Sequence, residues 1–244
     1  MINIIKSNFI RNKRTALIWV SIFAPIMYTL FFSIYIATTH NLKGQEIHSF
    51  FGIFTILATF ALSFFVPMAY ESDKEAGYYF NEIRFSVSRK KIFLGKFLFI
   101  LVLFVLIVAL ASIGIFLGTK IIRIDIPSHK INFTLLGISL LTLVPLIPIY
   151  QFLTLKFGKS ISILAGIFIT LAAILFGSTG LVELIWPIFP FVWPIKLIYL
   201  LASSKINLNN VIIFLILAIV LTSVFLLCAM DWFSKWDVIA KTEE

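Results

Sequence analysis

Residues 97–118, FLFILVLFVLIVALASIGIFLG, decide the fold class, because this run contains no charged side chain. A helix needs about 20 mostly apolar residues to cross a hydrocarbon core of ~30 Å. The run is apolar on every side rather than at alternate positions, which excludes a strand of a lipid-exposed β-barrel. Since an isolated strand would leave its backbone groups unpaired in lipid, the run predicts a membrane-spanning helix.

Five further runs of the same kind occur, at residues 16–38, 50–70, 133–155, 161–180 and 211–232. The only charged residue in the six runs is Asp231, next to the end of the last one. With 61% hydrophobic and 13% charged residues, the chain has too little charge to cover a surface facing water. We therefore predict an all-α integral membrane protein, with six transmembrane helices in one domain covering residues 1–244.

The Lys and Arg residues predict the direction in which the chain crosses the membrane. With six spans and an inner N-terminus, 14 of the 20 basic residues lie inside, and the six outer ones are Lys43, Lys120, Arg123, Lys130, Lys196 and Lys205. The positive-inside rule then places both termini in the cytoplasm. We expect a multi-pass protein of the cell (plasma) membrane.

Residues 1–15 form an amphipathic segment ahead of the first span. One helical face carries Ile2, Ile5 and Phe9, and the basic residues lie away from it: Lys6, Lys13 and Arg14. The pattern predicts a helix lying in the inner interface, held by apolar burial and by about 1 kcal/mol per basic residue near anionic lipid.

Residues 181–200, LVELIWPIFPFVWPIKLIYL, are apolar but are not predicted to be a seventh span. Pro187, Pro190 and Pro194 remove helix donors in the middle of the stretch, and Glu183 and Lys196 add charge. We predict a short helix–break–helix that enters the outer face and returns. Residues 177–180 would form the bend that ends the fifth helix.

Small residues and prolines mark positions of close packing and bending. Gly114 and Gly118 have the spacing that lets two helix backbones approach, which favours packing within the chain over a dimer contact. Four prolines interrupt the first, second and fourth spans and permit kinks: Pro25, Pro67, Pro145 and Pro148.

The sequence carries no recognisable catalytic motif, so we predict a non-enzyme with no catalytic residue, no metal site and no nucleic-acid partner. His40 and His48 flank Glu46, but three solvated side chains in a loop are a simpler interpretation than a metal site. Gly158-Lys159-Ser160 ends like a Walker A loop, yet Leu153 stands where the first glycine is required. We instead expect Lys156 and Lys159 to anchor a tight inner turn to anionic headgroups.

The polar residues gather in one predicted inner loop, 71–96, ESDKEAGYYFNEIRFSVSRKKIFLGK. Its acidic residues lie at the negative pole of the second span's helix: Glu71, Asp73 and Glu75. Ser88 is a predicted N-cap of the third, and basic residues follow it at the positive pole: Arg89, Lys90 and Lys91. Both arrangements need a compensating partner. We attribute the basic cluster to anionic lipid and the acidic one to Arg84 and Arg89, or to another protein.

The middle of this loop carries consecutive aromatic residues, Tyr78, Tyr79 and Phe80, after Gly77, which can end a helix. They are bordered by Glu75, Glu82 and Arg84. The rings suit either anchoring at the membrane interface or a surface helix that enters a groove of a soluble partner. Residue pattern alone leaves these two open.

The loop resembles the first cytoplasmic loop of type-2 class ABC exporter permeases. The matching residues are Glu75 and Gly77, followed by Ser88, Arg89, Ile92, Gly95 and Lys96. Glu75-Ala76-Gly77 followed by Phe80 is most similar to permeases of lantibiotic and bacitracin self-protection transporters. Tyr78 and Ser86 depart from the Thr and Pro that are usual there.

The resemblance implies a permease with six spans, inner termini and re-entrant outer helices, which binds no cofactor itself. It implies a separate cytoplasmic ABC ATPase subunit that carries ATP and Mg, and a second permease in a homo- or heterodimer. The cargo would be a lantibiotic-like, amphipathic peptide expelled from the bilayer. By resemblance the ATPase-coupling residues are Glu71, Asp73, Glu75, Gly77, Tyr78, Tyr79, Phe80, Glu82, Arg84, Ser88, Arg89, Gly95 and Lys96.

Two alternatives stay open. The chain could be a general type-2 exporter of drugs or lipid-linked substrates. It could also be a non-transporting membrane scaffold or sensor subunit, whose inner loop binds a signalling protein.

Overall fold

The computed structural model describes residues 2–39, 42, 44–75, 88–122 and 129–236. All regular structure within these ranges is helical. The α-helices are α1 (Ile2–Asn12), α2 (Ala16–Thr38), α3 (Glu46–Glu75), α4 (Arg89–Ile122), α5 (His129–Leu141), α6 (Leu146–Phe157), α7 (Lys159–Ser178), α8 (Trp193–Ala202) and α9 (Leu208–Lys235).

Six helical units in the described ranges are long and apolar enough to cross a membrane: α2, α3, α4, α5 together with α6, α7, and α9. This confirms the predicted all-α, multi-pass architecture. The helices continue beyond the apolar runs, however, because α3 extends to Glu75 and α4 begins at Arg89. The charged residues 71–75 and 89–96 of the predicted inner segment therefore lie on helices, which agrees with the N-cap predicted at Ser88 and with the acidic residues predicted at the end of the second span's helix.

Helix α3 occupies the centre of the bundle and contacts most of the other helices. Half of the most apolar 18-residue stretch of α3 is buried inside the protein. The corresponding stretch of α9 is only 11% buried, so the apolar side chains of α9 mostly face outward. At the far end of α3 from Asp73, Phe50 packs against Phe32 and Tyr28. The Tyr28 hydroxyl donates a hydrogen bond of 2.7 Å to the Phe50 carbonyl and joins α2 to α3.

Gly114 and Gly118 face α2, which makes the most extensive helix contact of α4. A Cβ added at Gly114 would lie 2.7 Å from Cγ2 of Thr29, and one at Gly118 would collide with Oγ of Ser33. The two glycines therefore allow close packing within the chain.

Proline and small residues also explain the contact between α3 and α7. Pro67 has no N–H, so the carbonyl of Ser63, four residues earlier, loses its helical donor. The hydroxyl of Ser162 donates to that carbonyl at 2.9 Å. Gly166, one turn further along α7, lies directly against the Ser63 side chain. A backbone group freed within the apolar bundle is thus satisfied by the neighbouring helix.

The other prolines have different consequences. Pro25, like Pro67, lies inside an unbroken helix. The fourth span is interrupted by a turn at residues 142–145, between α5 and α6. Pro145 ends this turn, and the Val144 carbonyl accepts a hydrogen bond from Ile147 N–H instead of from Pro148, which has none.

Residues 181–200 do not form the predicted helix–break–helix. Residues 181–185 form turns, two short 3-10 helices follow at Trp186–Ile188 and Pro190–Val192, and only then does α8 begin. Prolines at three-residue spacing suit such tight turns better than an α-helix. The first part, with Glu183 and Pro187, is exposed, whereas α8, with Pro194 and Lys196, is buried against α3 and α7. At about 15 Å, α8 is too short to span the membrane.

Replacing Gly166 by Ala should destabilise the bundle, because the new Cβ has no room against Ser63. Overpacking of this kind costs about 1–3 kcal/mol, which exceeds the ~1 kcal/mol that Ala gains over Gly in a helix. We expect the melting temperature of the purified protein in detergent to fall by about 5 °C.

The matched control is Gly52→Ala, since a Cβ there would lie 3.9 Å from Ile198 Cγ2, an ordinary contact. It should leave the melting temperature unchanged or raise it. Equal melting temperatures for both variants would contradict the close α3–α7 packing.

Candidate functional site

The charged side chains of four helices meet at one end of the bundle, called here the basic end. Arg11 of α1, Asp73 of α3, Lys96 of α4 and Lys159 of α7 all lie there. At the same end, α3 ends at Glu75 and α4 begins at Arg89, so residues 76–87 connect the two helices here. The residues that resemble the coupling loop of type-2 permeases therefore border this end.

Asp73 lies at the centre of the basic end, in the last turn of α3. Its Oδ1 accepts a hydrogen bond from Arg11 Nη1 at 2.6 Å, and its Oδ2 pairs with Lys96 Nζ. The side chains of Asp73 and Lys96 are only 1% and 2% exposed. A charge so buried is tolerated only when it is paired and hydrogen-bonded, and this carboxylate has a cation on each oxygen.

Asn8 and Tyr70 complete what we call the Asp73 cluster: Asn8, Arg11, Tyr70, Asp73 and Lys96. Asn8 Oδ1 accepts hydrogen bonds from Arg11 Nη2 at 3.0 Å and from Lys96 Nζ at 3.2 Å. The Lys96 ammonium lies 5.1 Å from the centre of the Tyr70 ring, a cation–π contact. The cluster therefore joins α1, α3 and α4 through side chains that share partners.

A hydrogen bond from Gln151 Nε2 to the Tyr70 hydroxyl, 2.8 Å long, extends the connection to α6. Gln151 is fully buried, so this bond lies inside the bundle. The cluster thus belongs to a polar path that crosses three spanning helices at their basic ends. What the arrangement can do is mechanical, because it holds the ends of α1, α3 and α4 at fixed positions relative to each other.

A second group of ion pairs surrounds the cluster nearer the surface. Glu71 Oε1 lies 3.0 Å from Lys159 Nζ, and Lys90 pairs with Asp231 of α9. All four side chains are about half exposed or more. Exposed pairs contribute only about 0–1 kcal/mol each, so removing one of them should cost much less than breaking the buried pairs of Asp73.

At the start of α4, Arg89 and Lys90, which the sequence analysis attributed to anionic lipid, have partners within the protein. Arg89 Nη1 donates to the Trp236 carbonyl at 2.7 Å, at the end of α9. The C-terminal pole of one helix thus compensates the basic residues at the N-terminal pole of another. Lys91 is exposed, and its N–H lies 3.4 Å from Oγ of Ser88, the geometry of the predicted N-cap.

The acidic residues also have partners other than those expected, since Asp73 pairs with Arg11 and Lys96 and Glu71 pairs with Lys159. Lys159, which the sequence analysis placed at lipid headgroups, therefore has a partner within the protein. Gly95 packs closely on Ile4 of α1, and Glu75 is exposed at the end of α3. The remaining predicted coupling residues lie outside the described residues: Gly77, Tyr78, Tyr79, Phe80, Glu82 and Arg84.

Asn8 and Arg11 were missed by the sequence analysis, which described α1 by its apolar face. The face of α1 that is buried on the bundle instead carries Asn8 and Asn12, whereas Ile2 is 80% exposed. Polar residues at positions 8, 11 and 12 repeat at helical spacing, and this pattern was the available signal.

Comparisons of the chain with protein-family models, curated proteins and solved structures find no match. Within the described residues, no group of three or more His, Cys, Asp or Glu side chains could hold a metal ion. The fold and the site define a multi-pass helical membrane protein whose charged contacts converge where α3 ends and α4 begins.

Replacing Asp73 by Asn should destabilise the protein strongly, because the buried ammonium of Lys96 then loses the carboxylate that pairs with it. Breaking a buried pair in this way costs about 3–5 kcal/mol. We expect the melting temperature in detergent to fall by about 10 °C.

Glu71→Gln is the matched control, because it removes a carboxylate from the same helix end but from an exposed pair. It should change the melting temperature by less than about 4 °C. The double variant Asp73→Asn with Lys96→Met removes both buried charges and should recover part of the loss. A cost for Asp73→Asn no larger than that for Glu71→Gln would contradict the central role of the cluster.

Proposed function

We propose that the chain is the membrane-spanning permease subunit of an ATP-driven ABC exporter of the type-2 class. The observation that carries the proposal is the Asp73 cluster, at the base of the segment that resembles a coupling loop. A force applied to residues 76–87 would act on the ends of α3 and α4, which Asp73 and Lys96 join directly. A loop that receives a mechanical stroke needs such a rigid attachment.

The energy source in this proposal is a separate cytoplasmic ABC ATPase. The chain has no Walker A motif, because Leu153 replaces the required glycine upstream of Lys159. Closure of the ATPase would press on residues 78–84, tilt α3 and α4 together, and change the outward-facing cavity of a permease dimer. ATP and Mg would be bound by the partner, and none by this chain.

In this arrangement the basic end faces the cytoplasm and both termini lie inside. The larger share of Lys and Arg on that side supports this orientation. Residues 181–200 then lie at the outer face, where α8 re-enters between α3 and α7. Helix α1 lies in the inner interface with Ile2 and Ile10 directed away from the bundle.

The proposed cargo is a lantibiotic-like, amphipathic peptide that is removed from the membrane for self-protection. The resemblance of Glu75-Ala76-Gly77 and Phe80 to self-protection permeases supports this choice. The scarcity of charge within the spans agrees with a substrate that is collected from the lipid rather than from water.

Co-purification with an ABC ATPase tests the coupling site. The chain carrying an affinity tag is co-expressed with the ABC ATPase encoded nearest to it, and bound ATPase is quantified after detergent extraction. Glu75→Ala with Tyr79→Ala should reduce the bound ATPase at least about tenfold, the effect of losing two central contacts. Lys120→Ala with Lys130→Ala, at the opposite end of the bundle, should not.

Full retention of the ATPase by the Glu75 and Tyr79 double variant would contradict the assigned coupling site. Absence of any complex with the unmodified chain would contradict the exporter proposal and favour a scaffold or sensor. Directed, ATP-independent pumping by the chain alone in vesicles would also contradict the exporter proposal.

Cysteine labelling in whole cells tests the orientation. The free Cys228 is first replaced by Ser, and single cysteines are placed at two exposed positions, Lys205 and Lys235. A membrane-impermeant maleimide should label position 205 in intact cells and position 235 only after permeabilisation. The reverse pattern would place the basic end outside.

A further inference from the structure

A cleft opens beside α1 on the side of that helix opposite the Asp73 cluster. It has a volume of about 320 Å³ and lies between α1, α2 and α4. This volume is at the lower end of the range for ligand pockets, about 300–1,000 Å³. The walls are apolar and consist of Phe9, Ile10, Ile18, Ile22, Leu103 and Leu106.

Two lysines supply the charge of the cleft. Lys6 and Lys13 both line it and both are exposed, and none of the described residues that line it is acidic. They are seven residues apart, so they lie on the same side of α1 about 10 Å apart along its axis. The third polar residue, Ser21, donates its hydroxyl to the Leu17 carbonyl and is already satisfied.

The position of the cleft indicates its surroundings. Phe9 packs edge-on against Phe99 of α4, with ring centres 4.8 Å apart, which fixes α1 across the basic ends of α2 and α4. Ile22 and Leu106 are 36% and 38% exposed and lie on helices that span the membrane. The apolar walls therefore open sideways to lipid, and the lysines lie at the membrane surface.

We propose that this cleft is a binding site for one anionic phospholipid. An acyl chain fills the space between α1, α2 and α4, and the headgroup phosphate binds Lys6 and Lys13. This occupant is the one that matches both parts of the cleft, since a free phosphate would leave the apolar walls exposed and a zwitterionic lipid, whose own cation offsets its phosphate, would not neutralise the two lysines. The bound lipid holds α1 against the bundle on the side that the Asp73 cluster does not reach.

Native mass spectrometry of the purified full-length chain tests the site, with phosphatidylglycerol and phosphatidylcholine supplied at equal concentrations. One phosphatidylglycerol should be retained preferentially. Lys6→Gln with Lys13→Gln should lower its affinity about thirtyfold, the factor expected for two basic residues at an anionic surface. Leu106→Trp fills the cleft without changing charge and should lower the affinity about tenfold.

The matched control is Lys91→Gln with Lys235→Gln, which removes two exposed lysines at the basic end but outside the cleft. It should retain the lipid. Equal loss in this control, or no loss in the Lys6 and Lys13 variant, would overturn the proposal in favour of general electrostatic adsorption. Retention by Leu106→Trp would show headgroup binding without the cleft and would also overturn it. The Lys6 and Lys13 variant changes the charge of the cleft, and Leu106→Trp changes its shape. If one of the two variants fails to fold, the other still tests the proposal.

Discussion

The buried carboxylate of Asp73 constrains the whole basic end of the bundle, because a charge in an apolar setting must be neutralised by groups brought to it. The cations come from two other helices, Arg11 of α1 and Lys96 of α4, and Asn8 bonds to both. This requirement brings α1, α3 and α4 together at the basic end, where Phe9 on Phe99 and Ile4 on Gly95 add apolar contacts between α1 and α4. The outer ion pairs are exposed and add little.

Elsewhere in the bundle, packing depends on small residues and freed backbone groups rather than on charge. Lipid is as apolar as the side chains, so the hydrophobic effect alone does not bring spanning helices together. Gly114 and Gly118 let α2 approach α4, and Ser162 with Gly166 lets α7 approach α3. The central, heavily buried α3 thus meets its neighbours through specific contacts, while α9 presents apolar surface to lipid.

The buried ion pairs lie at the basic end, whereas the contacts of small residues lie within the spans. This separation suits the proposed function. The Asp73 cluster lies at the base of the segment proposed to receive the ATPase, and in that proposal the spans above it would move together with the ends of α3 and α4. Helix α1 has a polar side in the Asp73 cluster and a cleft on its other side that fits a lipid. A partner on the loop and a lipid in the cleft would then act on the same helix ends.

Sequence alone determined the six spans, because long uncharged runs can satisfy their backbone groups in lipid only as helices. It also indicated that Asp73 and its neighbours needed partners, since acidic residues at a helix C-terminus are unfavourable. Apolar runs mark the lipid boundary and not the helix end, and here the polar residues indicated the ends instead. The N-cap predicted at Ser88 matches the start of α4 at Arg89, and the acidic residues predicted at the C-terminal pole of the second span's helix lie on α3, which extends to Glu75. Only the tertiary structure decided which cations meet Asp73, because Arg11 is 62 residues away and no local pattern encodes contacts between side chains that folding brings together from separate helices.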